Sequence, residues 1–412
     1  MTHDLDDLSR RYVELAFGIE RHNEGTVDAY VGPPELKETA LAGAKPSPQD
    51  LLDRAASLLA DVETADLPPS RTDYLTAQVR GLQTQCRKLT GEEIPYREEV
   101  RLCFDIDPVK TPETVYDEAI AALGDALPGE GDIAGRMIAW RERFEVPVET
   151  ARLMIDVILD ESRRRAQVFA PLPDGEDIEI SMVADKPWSG YNWYLGGCRS
   201  LVEINTDLPI QANRLLDLVC HEGYPGHHTE HAIKEQALYR HRGHGEHAIQ
   251  LINTPECVIS EGIATLAQSI IFTPEEATAW RNDHLYRMAG IDVDPARERQ
   301  ILEAQRALKS VAGNAALLLH EDGASEADVV GYFATYGLEA PERAKHRIRF
   351  VTDPLWRAYV FTYHVGYDLL AAWLDRPVEE GEPGEPMARR QARFGTLLAT
   401  QTTPSAIAAE ST

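Results

Sequence analysis

The chain has 412 residues, of which 43% are hydrophobic and 26% charged, a composition that builds a folded protein with a sizeable core. Its formal net charge of -27 repels phosphate backbones and argues against a nucleic-acid partner; solubility is the simplest use of such a surface. Five cysteines, an odd number with no C-x-x-C, argue for reduced thiols and a cytoplasmic location rather than a disulfide framework.

The start of the chain, MTHDLDDLSRRYVELAFG, has no basic stretch followed by an apolar run, so it does not read as a signal peptide, and no apolar run long enough to span a bilayer follows. No membrane partner is therefore expected. Leu5, Leu8, Tyr12, Leu15 and Ile19 form one helical stripe. DLLDRAASLLADVE, RTDYLTAQVRGLQTQC, PETVYDEAIAALGDAL and VETARLMIDVILDESRRRAQ read as further amphipathic helices, the last opened by acid and closed by arginines as its dipole favours. Residues 1–170 thus form an N-terminal helical region, either a separate domain or a lid, and residues 171–412 the catalytic region.

The pattern changes in EDIEISMVADKPWSGYNWYLGGCRSLVEINTDLP, where apolar and polar residues alternate about a Gly196-Gly197 turn. A small antiparallel sheet is expected here, with Ser200 to Asn205 as its last strand. Asp207 and Pro209 then mark a helix start. Further helices are read in ECVISEGIATLAQSIIF, bounded by Thr273-Pro274, in PARERQILEAQRALKSVAGNAALLLH as one long element, and in SEADVVGYFATYG behind a Ser-x-x-Asp cap. DPLWRAYVFTYHVGYDLLAAWL is expected to be helical from Pro354. The whole reads as a mainly α fold with a small sheet beside one helix.

The helix of interest contains LLDLVCHEGYPGHHTEHAIKE, Leu215 to Glu235. His-Glu-x-x-His grips one zinc because residues four apart share a helix face. Here Gly223, Tyr224, Pro225 and Gly226 intervene, so in a straight helix neither His227 nor His228 meets His221 on one ion. The helix cannot be straight, because Pro225 has no N–H for the His221 carbonyl. A bulge that absorbs two residues puts His227 in the fourth position; one that absorbs three puts His228 there, at the cost of more distortion. Seven of the 13 histidines lie between His221 and His247. His227 with His231, and His241, His244 and His247 in a Gly-rich stretch, are rival metal groups. A third ligand is offered by Glu261 in VISEGIATLAQ, with Glu256, in the first turn after Pro255, as the competing carboxylate.

His-Glu followed by Glu-Gly-x-Ala on the next helix resembles the gluzincin zinc metallopeptidases. HEGYPGHH is similar to the His-Glu-Ala-x-Pro-Gly-His-His of the domain-of-unknown-function 885 family. The likeness extends through LVEINTDLP, SEGIATLAQ, LHEDGASEADVVGYFATYGL and RFVTDPLWRAYVFTYHVGYDLL, covering the C-terminal half. Gly223 stands for the usual Ala, Ile263 for a usual Trp, and His364 for a common Lys. The resemblance implies a zincin-like architecture and a metallopeptidase-like site.

The resulting expectation is a zinc-dependent peptidase or carboxypeptidase-like amidase, with one Zn2+ per chain on His221, His227 and Glu261 and a small or unfolded peptide as substrate. Glu222 is the expected general base. Tyr363 or His364 is expected to donate to the oxyanion, with Tyr359 in reserve. Leu201 to Asn205, with Asn205 at its end, is expected to be the edge strand that pairs with substrate. Arg347 or Arg349 would hold a substrate carboxylate. The alternatives are an enzyme acting on a non-peptide bond and a metal-stabilised binding scaffold without turnover. The sequence is also compatible with a homodimer.

Overall fold

In the computed structural model, the described residues are 5–186, 188, 190–339 and 341–411, with the side chains of 341 and 342 left aside. The protein is mainly helical, and each strand segment is short. Among the described residues no single helix is long and apolar enough to cross a membrane. All five cysteines are free and buried.

Local chemistry sets many of the boundaries. The helix Pro255–Ile271 ends before Thr273, which caps the next helix in a reciprocal box with Glu276. Ser325 and Asp328 make the same box at the start of Glu326–Tyr336. Two boundaries differ from expectation. The long element from Pro295 is broken by a 3-10 turn at Leu308–Ser310 into Pro295–Ala307 and Val311–His320. The helix expected from Pro354 begins instead at Phe361. Before it the chain turns, because Asp353 binds the Leu355 and Trp356 amides, and Tyr359 and Thr362 reach back only three residues.

The sheet has the order Asp177–Val183, Arg199–Asn205, Gly190–Gly196. The 190–196 and 199–205 strands form the expected antiparallel hairpin about Gly196-Gly197, both at positive φ. The 177–183 strand adds parallel on the far side. Arg199–Asn205 is therefore central, with both edges hydrogen-bonded, and is not the edge strand expected for substrate. The reason is that the parallel partner comes from before the hairpin, which sequence adjacency does not reveal.

The largest core joins Met154, Ile155 and Ile158 of Val148–Ala166 to Leu215, Leu216 and Val219 of Ala212–Glu222, so apolar packing runs across residue 170. Residues 215, 216 and 219 recur at helical spacing, and this stripe seats the His-Glu helix against its neighbours.

A second tie is ionic. The Glu246 side chain is fully buried and receives Arg71 Nε at 2.9 Å and Nη2 at 2.8 Å, Ser9 Oγ at 3.0 Å and Gln401 Nε2 at 2.7 Å. Four segments distant in sequence meet on one carboxylate. Burial raises the Glu246 pKa, but the Arg71 hydrogen bonds prevail and hold it down to about 2. We expect Arg71→Met, which leaves this charge buried and unpaired, to lose about 3–5 kcal/mol in urea unfolding at neutral pH. Because the folded pKa lies below the unfolded one, the wild-type contribution is complete above the ordinary carboxylate range and lost as pH falls toward about 2. An Arg71→Met protein as stable as wild type at pH 7 would refute this role.

Candidate metal centre

The expected bulge is a full break. One helix ends at Glu222 and another starts at His227, with a cis Tyr224-Pro225 bond between them. Pro225 cannot continue the first helix, and the glycines let the chain fold back on it. The Gly226 amide donates to the Cys220 carbonyl at 3.0 Å. A Cβ on Gly226 would lie 1.9 Å from the His221 carbonyl oxygen and 2.4 Å from that of Cys220, so only glycine fits. A Cβ on Gly223 would lie 2.8 Å from the Val219 oxygen. Tyr224 pins the loop from the other side, donating to Glu176 Oε2 at 2.5 Å.

This return sets the His227 ring edge-on to that of His221, with centres 4.8 Å apart. Glu261, from Pro255–Ile271, approaches from a separate helix, its Oε2 3.6 Å from His221 Nε2. One ligand atom from each of His221, His227 and Glu261 falls within a 4.8 Å cluster. Glu261 Oε2 is buried and has no hydrogen-bond partner among the described residues, while Oε1 accepts from Tyr359 Oη at 2.8 Å. An orphaned carboxylate oxygen facing two imidazoles is costly unless a cation completes it. The N,N,O donor set with three protein ligands suits zinc with an open position, so the residues present fit the metal.

His228, the alternative second ligand, is fully buried and faces away. Its Nδ1 pairs with Ser200 Oγ at 2.8 Å and its Nε2 with Glu176 Oε2 at 3.0 Å. The rival His227–His231 pair does form a group with Glu230, the two rings stacked 5.7 Å apart. Glu230, however, is already paired with Lys234 at 2.7 Å. Lys234 also pairs with Glu256, which removes that carboxylate from contention as a ligand. His247 belongs elsewhere, stacked on Tyr74.

Glu222 sits at the end of its helix, 6% exposed. Burial, reinforced by Glu261 and Asp28 and partly offset by His227, pushes its carboxyl up to about 7. Its backbone carbonyl accepts from Asn192 Nδ2 at 2.6 Å, which fixes the strand Gly190–Gly196 beside the helix end. Tyr363 is 37% exposed and meets Tyr359 edge-on at 5.7 Å. Desolvation, then the Glu261 and Glu222 charges, push its phenol well above the ordinary value, so it remains a donor.

Four expected residues are placed otherwise. His364 lies against Phe361, with ring centres 5.5 Å apart, and against Gly313, where an added Cβ would come 2.7 Å from its Cε1. One residue past Tyr363 is about 100° round a helix, so the two cannot face the same site. Asn205 is spent on its own loop: its amide donates to the Lys186 and Trp188 carbonyls and its oxygen accepts from the Asp207 amide. Arg349 is exposed, with no contact to the triad among the described residues, and Arg347 is held by Glu339 and the Phe333 ring. Conversely, Asp28, unmarked by any motif, accepts from the Tyr191 hydroxyl and adds negative charge near Glu222. Nothing in the sequence singles out an aspartate in a four-residue strand.

No family model matches the sequence, and no curated protein matches it. Among solved structures, the fold is similar to "the putative lipoprotein from Colwellia psychrerythraea", with a TM-score of 0.53 at 13% identity, covering 89% of this chain and 67% of that one. A "putative lipoprotein of unknown function from Shewanella oneidensis" aligns with a TM-score of 0.48 at 12% identity, covering 98% of this chain and 82% of that one. At such identity the first likeness speaks for the fold alone.

The close approach at Gly226 gives a direct test. Gly226→Ala is expected to cost more than about 3 kcal/mol in chemical denaturation or to prevent folding. Gly384→Ala, where an added Cβ meets nothing within 4 Å, should stay within about 0.5 kcal/mol of wild type. Equal stability of the two variants would contradict the packing described for the break.

Proposed function

We propose that this protein is a zinc-dependent hydrolase that cleaves an amide bond in small or unfolded peptides, with His221, His227 and Glu261 as the metal ligands. The carrying observation is the buried, unpartnered Glu261 Oε2 beside His221 Nε2, with the Glu222 carboxyl next in chain to a ligand. Zinc in such a set supplies an acidified water and a Lewis-acid pole for a carbonyl.

The remaining steps belong to the chain itself. Glu222, held near neutrality by its burial, takes a proton from the attacking water and returns it to the departing amine. Tyr363, protonated and partly exposed, donates to the oxygen that becomes negative in the tetrahedral state. Tyr359 holds one oxygen of Glu261 and so leaves the other for the metal. With its hydroxyl on that carboxylate, Tyr359 serves in this reading as ligand support, not as the reserve oxyanion donor or a substrate contact. The resemblance of HEGYPGHH and SEGIATLAQ to metallopeptidase motifs supports these roles. A purely structural metal site is less well supported, because such sites close with four protein ligands and His228, next in chain to His227, has both ring nitrogens engaged.

Purified protein should hold one zinc per chain, lost in His221→Ala, His227→Ala and Glu261→Ala and retained in His228→Ala. Glu222→Gln should keep its zinc and lose about 100-fold or more in turnover of a short-peptide library followed by mass spectrometry. Undiminished cleavage by Glu222→Gln, or no stoichiometric zinc in wild type, would sink the proposal.

A further inference from the structure

Two polar residues beside His227, one half-buried and one buried, have no task in the reaction above. Ser260 precedes Glu261 on one helix, and Glu230 follows His227 by three positions on the other. Glu230 is fully buried. Its Oε1 receives Lys234 Nζ at 2.7 Å, and its Oε2 receives Ser260 Oγ at 2.6 Å. Ser260 Oγ also lies 3.1 Å from His227 Nδ1.

The direction of this chain follows from donor counting. A carboxylate paired with a lysine ammonium only accepts, so the single hydroxyl hydrogen of Ser260 points to Glu230. The serine oxygen then has only lone pairs for His227, and Nδ1 must carry the hydrogen. In the neutral ring Nε2 is left as the lone-pair nitrogen. His231, parallel to His227 with an interplanar angle of 4°, limits tilting of the ring. Lys234 is itself buried and bridges Glu230 to Glu256, which keeps the acceptor end charged.

We propose that Ser260 and Glu230 form a positioning relay that fixes His227 with its proton on Nδ1 and presents Nε2 to the metal. The inference rests on the reading of His221, His227 and Glu261 as ligands, and goes beyond it by assigning the serine and the buried ion pair to the metal's affinity. Partners of this kind orient a ligating imidazole and raise its basicity. Here the hydroxyl is interposed between histidine and carboxylate, whose direct separation is 3.9 Å.

The test is the zinc dissociation constant of the full chain, by competition with a chromophoric chelator, together with the melting temperature of the metal-free protein. Ser260→Ala should bind zinc about 10- to 100-fold more weakly, with the metal-free melting temperature unchanged. Ser260→Thr, which restores the hydroxyl, should recover most of the affinity. Glu230→Gln should weaken binding too, because its amide can donate to Ser260 and reverse the chain. Wild-type affinity in Ser260→Ala would overturn the relay while leaving the metal site intact. So would a loss of affinity matched by a lower metal-free melting temperature, which would mark a general packing defect. Wild-type protein that binds no zinc would overturn the underlying metal reading, a result distinct from both.

Discussion

The candidate site depends on one steric constraint: the backbone at Gly226 passes so close to the His221 carbonyl that no side-chain carbon fits between them. A regular helix would carry His227 round to another face. The break instead returns the chain onto the turn it has just left, and the second helix starts with its first histidine beside the last turn of the first. Pro225 forbids continuation and Gly226 permits the return; neither would suffice alone.

Around that return, Tyr224, His228, Glu176 and Ser200 form a closed network in which every ring nitrogen and the Tyr224 hydroxyl has a partner. Beside it, one oxygen of Glu261 is left without a hydrogen-bond partner among the described residues. Buried polar atoms are normally satisfied, so this oxygen stands out against the closed network beside it. His227 and His228 are neighbours in sequence, yet only the first is available.

Much of this was legible beforehand because it rests on local rules. Amphipathic stripes located the helices, the Thr273 and Ser325 caps set boundaries, and the Gly196-Gly197 hairpin was plain. Helical spacing on a kinked segment favoured His227 over His228 by the smaller distortion. What escaped the sequence depends on non-local partners. The parallel strand at Asp177–Val183 placed Arg199–Asn205 in the middle of the sheet. Asp353 turned the residues that follow it, so the last helix starts later than Pro354 suggests. Asn205 looked free to bind a ligand until the loop it holds was known. Ser260 and Glu230 carried a visible signal, standing next to Glu261 and three residues from His227, yet only the fold reveals the hydroxyl between ring and carboxylate.

The distribution of these residues along the chain has an evolutionary corollary. His221, Glu222, His227, Glu230, Ser260 and Glu261 all lie in one continuous segment, 221–261. Asp28, Tyr191, Tyr359 and Tyr363 reach the same region from three remote ones. His221, His227 and Glu261, with Ser260 and Glu230, can therefore be inherited as a unit, while Tyr359, which supports Glu261, and the other remote residues drift separately. On the proposed reading, divergence outside that segment would reach the oxyanion donor before it reached the metal grip.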